Sequence, residues 1–127
     1  TSILAILARM RGASPCTAID IDEWCVRNSL ENIALNGVDN IAVSQGDASS
    51  LKSKGPFDMV IANINRNILT MDMPAYAEAL DTGGDLLMSG FLEEDVPVIE
   101  ARARACGLEP VEVRRRDGWA MVHVKKA

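Results

Sequence analysis

The chain of 127 residues has no apolar run near the roughly 20 residues that cross a bilayer, which argues against a membrane-spanning helix. It has little positive charge. Thirteen Lys and Arg against eighteen Asp and Glu leave a net charge of −5. General binding to DNA or RNA phosphates wants a basic surface, so no direct nucleic-acid partner is expected, while a basic protein stays open as one. Cysteine and histidine are scarce too. Cys16, Cys25 and Cys106 are odd in number and lack CxxC spacing, and His123 is the single histidine. Neither a zinc site nor a disulfide framework can be built from them. All three cysteines fall in apolar-patterned segments and are read as small buried hydrophobes. Internal repeats, low-complexity segments and long linkers are absent, and one domain is expected at this length. The first apolar stretch, TSILAILARMRGA, carries Arg9 and Arg11 after its apolar residues. A signal peptide carries its charge before them, so the protein is expected in the cytoplasm.

What is present is alternation. Ile3, Ile6, Leu7 and Met10 recur at helical spacing before Gly12. CTAIDI is a short strand, and Asp22 can cap the helix after it, whose stripe is Val26, Leu30, Ile33 and Ala34. NIAVSQGD holds another strand. PFDMVIAN is apolar enough to be buried on both faces. A helix is predicted from about residue 66 to 80 with Pro74 inside it, then a turn at Gly83-Gly84 and the strand DLLMSG. Leu92, Val96, Ile99, Ala103 and Cys106 repeat at four-three-four-three, the stripe of a helix on a sheet. VEVRR and WAMVHV are joined across Asp117-Gly118, a two-residue hairpin signal. The pattern predicts an α/β fold: a mostly parallel sheet with helices on both faces and a terminal antiparallel hairpin.

Such sheets bind ligands beyond the carboxyl ends of their strands. Asp20, at one such end, can accept both hydroxyls of a ribose through strong charge-assisted hydrogen bonds. Nicotinamide and S-adenosylmethionine sites share that use, so it indicates a nucleoside without saying which. Asp22 suits a helix cap better. Asp47, after Gly46, is either a turn residue or an acceptor for the exocyclic amine of adenine. Ile21 and Ala48 would then be apolar walls for the ring. Asn63 ends the run VIAN too early to cap the next helix cleanly, whereas Asn65 fits that role. A neutral amide has a donor and an acceptor on one short side chain. It can hold a nitrogen nucleophile by its hydrogens and leave the lone pair free. Asp or Glu would hold a charged ammonium, which has no lone pair to react. Glu93-Glu94-Asp95 and Arg114-Arg115-Arg116 are read as solvated surface. His123, inside a strand pattern, is read as packed.

TAIDIDEW, LNGVDNIAVSQGDAS, FDMVIANINRNIL, TGGDLLMSGFLEED and DGWAMVHV together resemble the bacterial ribosomal protein methyltransferase family that modifies large-subunit protein eleven. The resemblance covers nearly the whole chain. ANI followed by RNIL, with SGFLEED downstream, is its most specific part. Related methyltransferases of glutamine or nucleobases usually carry Asn-Pro-Pro-aromatic at that strand end, where Ile64 and Asn65 stand here. The resemblance implies a class I S-adenosylmethionine-dependent methyltransferase fold, a Rossmann-like three-layer sandwich, with residues 1–127 as a partial catalytic domain. It implies transfer to lysine side-chain or N-terminal amines of the large-subunit ribosomal protein. By motif match Asp20 takes the ribose of S-adenosylmethionine and Asp47 the adenine region. Asn63 meets the methionine end and the acceptor nitrogen, and Asn65 and Phe91 lie on the acceptor side. No metal is implied.

The family's first strand and the glycine-rich loop after it have no counterpart in the sequence, which opens at the helix that should follow them. The expectation is that another segment, from a second chain or from residues beyond those given, pairs between the strands holding Ile19 and Val60. Three rival readings stay open: a nicotinamide-dependent oxidoreductase, an inactive fragment or assembly module, and a methyltransferase of another protein or RNA.

Overall fold

The computed structural model describes residues 2–51 and 53–127. Thr1, at the head of the first apolar stretch, lies outside them. The chain divides into two compact units, Thr1–Ala48 and Ser49–Ala127.

The first unit is α1 (Ile3–Met10), β1 (Cys16–Asp20), α2 (Glu23–Leu35) and β2 (Ile41–Gln45). β1 and β2 pair in parallel, with Asp20 opposite Gln45. A parallel pair needs a crossover, and α2 provides it. Asp22 caps α2 as expected, its carboxylate accepting from the Trp24 N–H at 2.9 Å. The helix faces differ from the sequence reading. In α1 only Ile6 is buried, and Ile3, Leu7 and Met10 are exposed. In α2 the buried residue is Ser29, and Leu30 is 53% exposed. Periodicity marks an apolar stripe but not its contact line, and here a small hydroxyl residue turns inward. Cys16 is buried as expected, but Cys25 and, in the second unit, Cys106 are only half-buried.

The second unit is β3 (Phe57–Asn63), α3 (Arg66–Ala79), β4 (Leu80–Leu92), α4 (Val96–Ala105), β5 (Leu108–Arg116) and β6 (Trp119–Lys126). A four-stranded sheet forms in the order β3-β4-β6-β5, parallel at the first pair and antiparallel at the other two. The strands holding Ile19 and Val60 thus belong to different sheets. The hairpin turns at Asp117 and Gly118, both at positive φ, as a two-residue primed turn requires. β4 starts earlier than the sequence suggested. Gly83 and Gly84, read as a turn, lie inside it, and a Cβ at Gly84 would meet the Asp81 carbonyl at 2.8 Å.

One sheet face is the core. Val60, Leu86 and Val124 are neighbours across three strands, as are Ala62, Met88 and Val122, and all six are buried. Leu69, Met73 and Tyr76 of α3 and Val96, Ile99 and Ala103 of α4 complete that core. Burial and, secondarily, Asp72 push the Tyr76 hydroxyl up to about 12, so it stays neutral. The opposite face corrects the expectation that β3 is buried on both sides, because Met59 and Ile61 are exposed there. His123 lies on that face rather than in the packed core. Its Nε2 is 2.8 Å from Asp85 Oδ1, and Lys125 Nζ donates to the same oxygen at 3.1 Å.

The hydrogen bond from His123, with Lys125 beside it, holds the Asp85 carboxyl below its usual value. A depressed carboxyl contributes stability above its unfolded pKa and loses it as pH falls through the folded one. Asp85→Asn should therefore cost about 1 kcal/mol at neutral pH and almost nothing once the pH has fallen through the depressed value and the carboxyl is protonated. Urea unfolding of both proteins across that range checks this, and a difference that persists at the acid end contradicts it. Among the described residues no helix is long and apolar enough to cross a membrane, and no group of three His, Cys, Asp or Glu could hold a metal ion.

Candidate active site

In the first unit the carboxyl ends of β1 and β2 are clasped together. The Gly46 N–H donates to the Asp20 carbonyl at 2.9 Å, and Gln45 Nε2 donates to the Ile21 carbonyl at 3.2 Å. Parallel pairing thus brings Asp20, Ile21, Asp47 and Ala48 to one edge. Asp20 is half-buried, and its Oδ1 accepts from the Asp22 N–H at 3.0 Å. Partial burial, then the Asp20 and Asp22 carboxylates, push the Cys25 thiol up, so it stays protonated. The Asp20 carboxylate is oriented by the Asp22 N–H and still has acceptor sites left, since a carboxylate offers about four. Ile21 is 72% exposed beside it. Asp47 is exposed, and Ala48 opens a short 3-10 turn, Ala48–Leu51. Cys25 is the residue the sequence reading missed here. Its place three residues after the Asp22 cap was the available signal.

In the second unit the carboxyl ends of β3 and β4 make the other edge. Asn63 is exposed and pairs with Ser89 in register, and the Ile64 N–H donates to the Ser89 carbonyl at 3.0 Å. Asn65 caps α3 as expected, its Oδ1 accepting from the Ile68 N–H at 3.1 Å. The cap is therefore supplied without Asn63, whose amide hydrogen-bonds none of the described residues. Asn65 and Phe91 line one cavity of about 270 Å³ with Arg66, Gly90, Asp95 and Trp119.

Three of these residues were not anticipated. Asp95 was read as solvated surface, but its side chain is only 16% exposed, accepts from the Leu92 N–H at 3.1 Å and pairs with Arg66 at 3.2 Å. Trp119 reaches the cavity because β6 runs antiparallel beside β4, which sets Trp119 opposite Leu92. The Glu93 N–H holds the hairpin there by donating to the Gly118 carbonyl at 2.9 Å. The hairpin signal in the sequence, joined to the strand order, would have located Trp119.

The fold is the Rossmann-like one of class I S-adenosylmethionine-dependent methyltransferases, as the solved structures that it matches show. The N-methyltransferase NodS of Bradyrhizobium japonicum, solved with S-adenosyl-l-homocysteine, has this fold, matching 87% of the chain at a TM-score of 0.68 and 13% identity, over 65% of its own length. The family described as Ribosomal protein L11 methyltransferase (PrmA) matches residues 1–127, and the chain belongs to it. A ribosomal protein L11 methyltransferase of Bacteroides fragilis is 65% identical over 122 residues, which are 96% of the chain and 44% of that relative. The crystal structure of a ribosomal protein L11 methylase from Lactobacillus delbrueckii subsp. bulgaricus matches 99% of the chain and 66% of its own, at a TM-score of 0.91 and 29% identity. The chain spans less than half the length of the curated relatives it matches.

Proposed function

We propose that the protein is an S-adenosylmethionine-dependent protein N-methyltransferase of the cytoplasm. Its acceptors are lysine side-chain and N-terminal amines of ribosomal protein L11. The observation that carries this reading is the exit of β3. There the exposed Asn63 amide, not needed as a cap, lies against Gly90, which lines the cavity with Asn65 and Phe91, in a chain of this family. Residues 1–127 are read as part of the catalytic domain. β1 pairs only with β2 and β3 only with β4 among the described residues, so each leaves a row of backbone groups for a further strand. A second chain or residues beyond those given would supply it.

The donor set fits S-adenosylmethionine. The ribose hydroxyls and the adenine amine are donors, and Asp20 and Asp47 are acceptors at strand ends. Ile21 and Ala48 offer apolar contact to the base. The cofactor supplies a methyl group activated on a sulfonium. The Asn63 amide accepts a hydrogen from the acceptor amine and leaves its lone pair free. Positioning of this kind contributes up to about 7–11 kcal/mol. The amine must also be neutral, and a free lysine has a pKa of about 10.4. Phe91, Leu92 and Trp119 give apolar surface that disfavours the ammonium form and lowers that value. The proton leaves to water.

Calorimetry of the full-length protein with S-adenosylhomocysteine and with NAD tests the cofactor. Binding of the first alone is expected, and binding of NAD alone would favour an oxidoreductase. Trp119, 56% exposed on the cavity wall, is read as an apolar platform for the alkyl stem of the acceptor. Trp119→Ala should raise KM for the protein acceptor about three- to tenfold and leave KM for S-adenosylmethionine unchanged. The reverse pattern in steady-state kinetics would place Trp119 on the cofactor side.

A further inference from the structure

Gly90 sits inside β4 at φ +94°, where the register on β6 shifts between Ser89 and Phe91. A Cβ built there would lie 2.6 Å from Asn63 Oδ1, 2.9 Å from the Ile64 nitrogen and 3.0 Å from the Ile64 carbonyl oxygen. Real Cβ atoms essentially never approach another heavy atom within 3.0 Å. The Asn63 amide therefore packs against the bare Cα of Gly90. The Ile64 N–H is held by its hydrogen bond to the carbonyl of Ser89, the residue before Gly90. With no hydrogen bond among the described residues to fix the Asn63 amide, packing against Gly90 is what sets its pose.

From this contact we infer that Gly90 is a positioning residue: its missing side chain lets the Asn63 amide lie where it presents the acceptor nitrogen. The inference rests on the reading of Asn63 given above. An alanine at this position meets two obstacles. The positive φ disfavours any L side chain, and the added methyl displaces the Asn63 oxygen, the Ile64 peptide, or both. Gly90 also lines the cavity, so a shift there would be felt at the transferring nitrogen. A misplacement of about 1 Å can cost about 100-fold in rate.

The test is a double-mutant cycle of Gly90→Ala and Asn63→Ala in the full-length protein, with steady-state kinetics and the Asn63 side-chain amide resonances in NMR spectra. Gly90→Ala should lower kcat about 10- to 100-fold with little change in KM for S-adenosylmethionine. It should move the Asn63 side-chain resonances. In the Asn63→Ala background it should add almost no further loss. If Gly90→Ala does not fold, nuclear Overhauser contacts between the Asn63 side-chain amide and the Gly90 Hα protons of the wild type are the second readout, and they are expected to be strong. Additive losses, unmoved Asn63 resonances, or absence of those contacts would overturn the inference. Wild-type turnover in Asn63→Ala alone would instead remove Asn63 from the reaction. The resonance shift tells the two failures apart, since it reports the contact and not the chemistry.

Discussion

Asn63→Ala should lower kcat about 100-fold in the full-length protein while its sheet stays folded. The side chain is exposed at the end of β3, and the neighbouring buried residues Val60 and Ala62 keep their contacts. The cap of α3 is untouched because Asn65 supplies it. The loss therefore falls on the reaction and not on stability. Asn63→Asp makes the sharper test because size is conserved and charge is not. A carboxylate beside the acceptor favours its ammonium form and raises its pKa. Turnover should fall as well, and the pH–rate profile should shift to higher pH. Equal kcat and an unshifted profile in both variants would take Asn63 out of the mechanism.

Asp20→Ala should weaken S-adenosylhomocysteine binding about 10- to 100-fold, the loss expected when strong hydrogen bonds to a charged acceptor are removed. The same substitution has a second readout that needs no cofactor. The Asp20 carboxylate is one of the causes that hold the Cys25 thiol up, after burial itself. Without it the thiol falls back toward its ordinary value and more thiolate is present at a given pH. Alkylation of Cys25, followed by mass spectrometry at mildly alkaline pH, should quicken. Faster alkylation with unchanged binding would show that Asp20 acts on the Cys25 thiol but does not touch the nucleoside.

The elements that carry these residues were legible because they obey local rules. Asp22 and Asn65 sit where caps belong, and both cap. Asp117-Gly118 makes the hairpin, and the strand ends with Asp20, Asp47 and Asn63 emerge where alternation placed them. What the sequence hid depends on contacts distant along the chain. Met59 and Ile61 are as apolar as Val60 and Ala62, and only the position of α3 and α4 decides which pair is buried. The pairing of Asp95 with Arg66 looks in the sequence like one more charge in an acidic run. Trp119 joins the cavity through the antiparallel register of β6 on β4, which no local pattern encodes. Gly90 was visible only as the last residue of the strand DLLMSG. Its closeness to Asn63 comes from two strands meeting.

The most direct measurement is intact-mass analysis of ribosomal protein L11 after incubation with S-adenosylmethionine and the full-length protein, as wild type and as Asn63→Ala. The account predicts whole methyl-group increments on amine positions with the wild type and a rate reduced about 100-fold with the variant. An unmodified acceptor, or methyl groups added equally fast by both proteins, would contradict it.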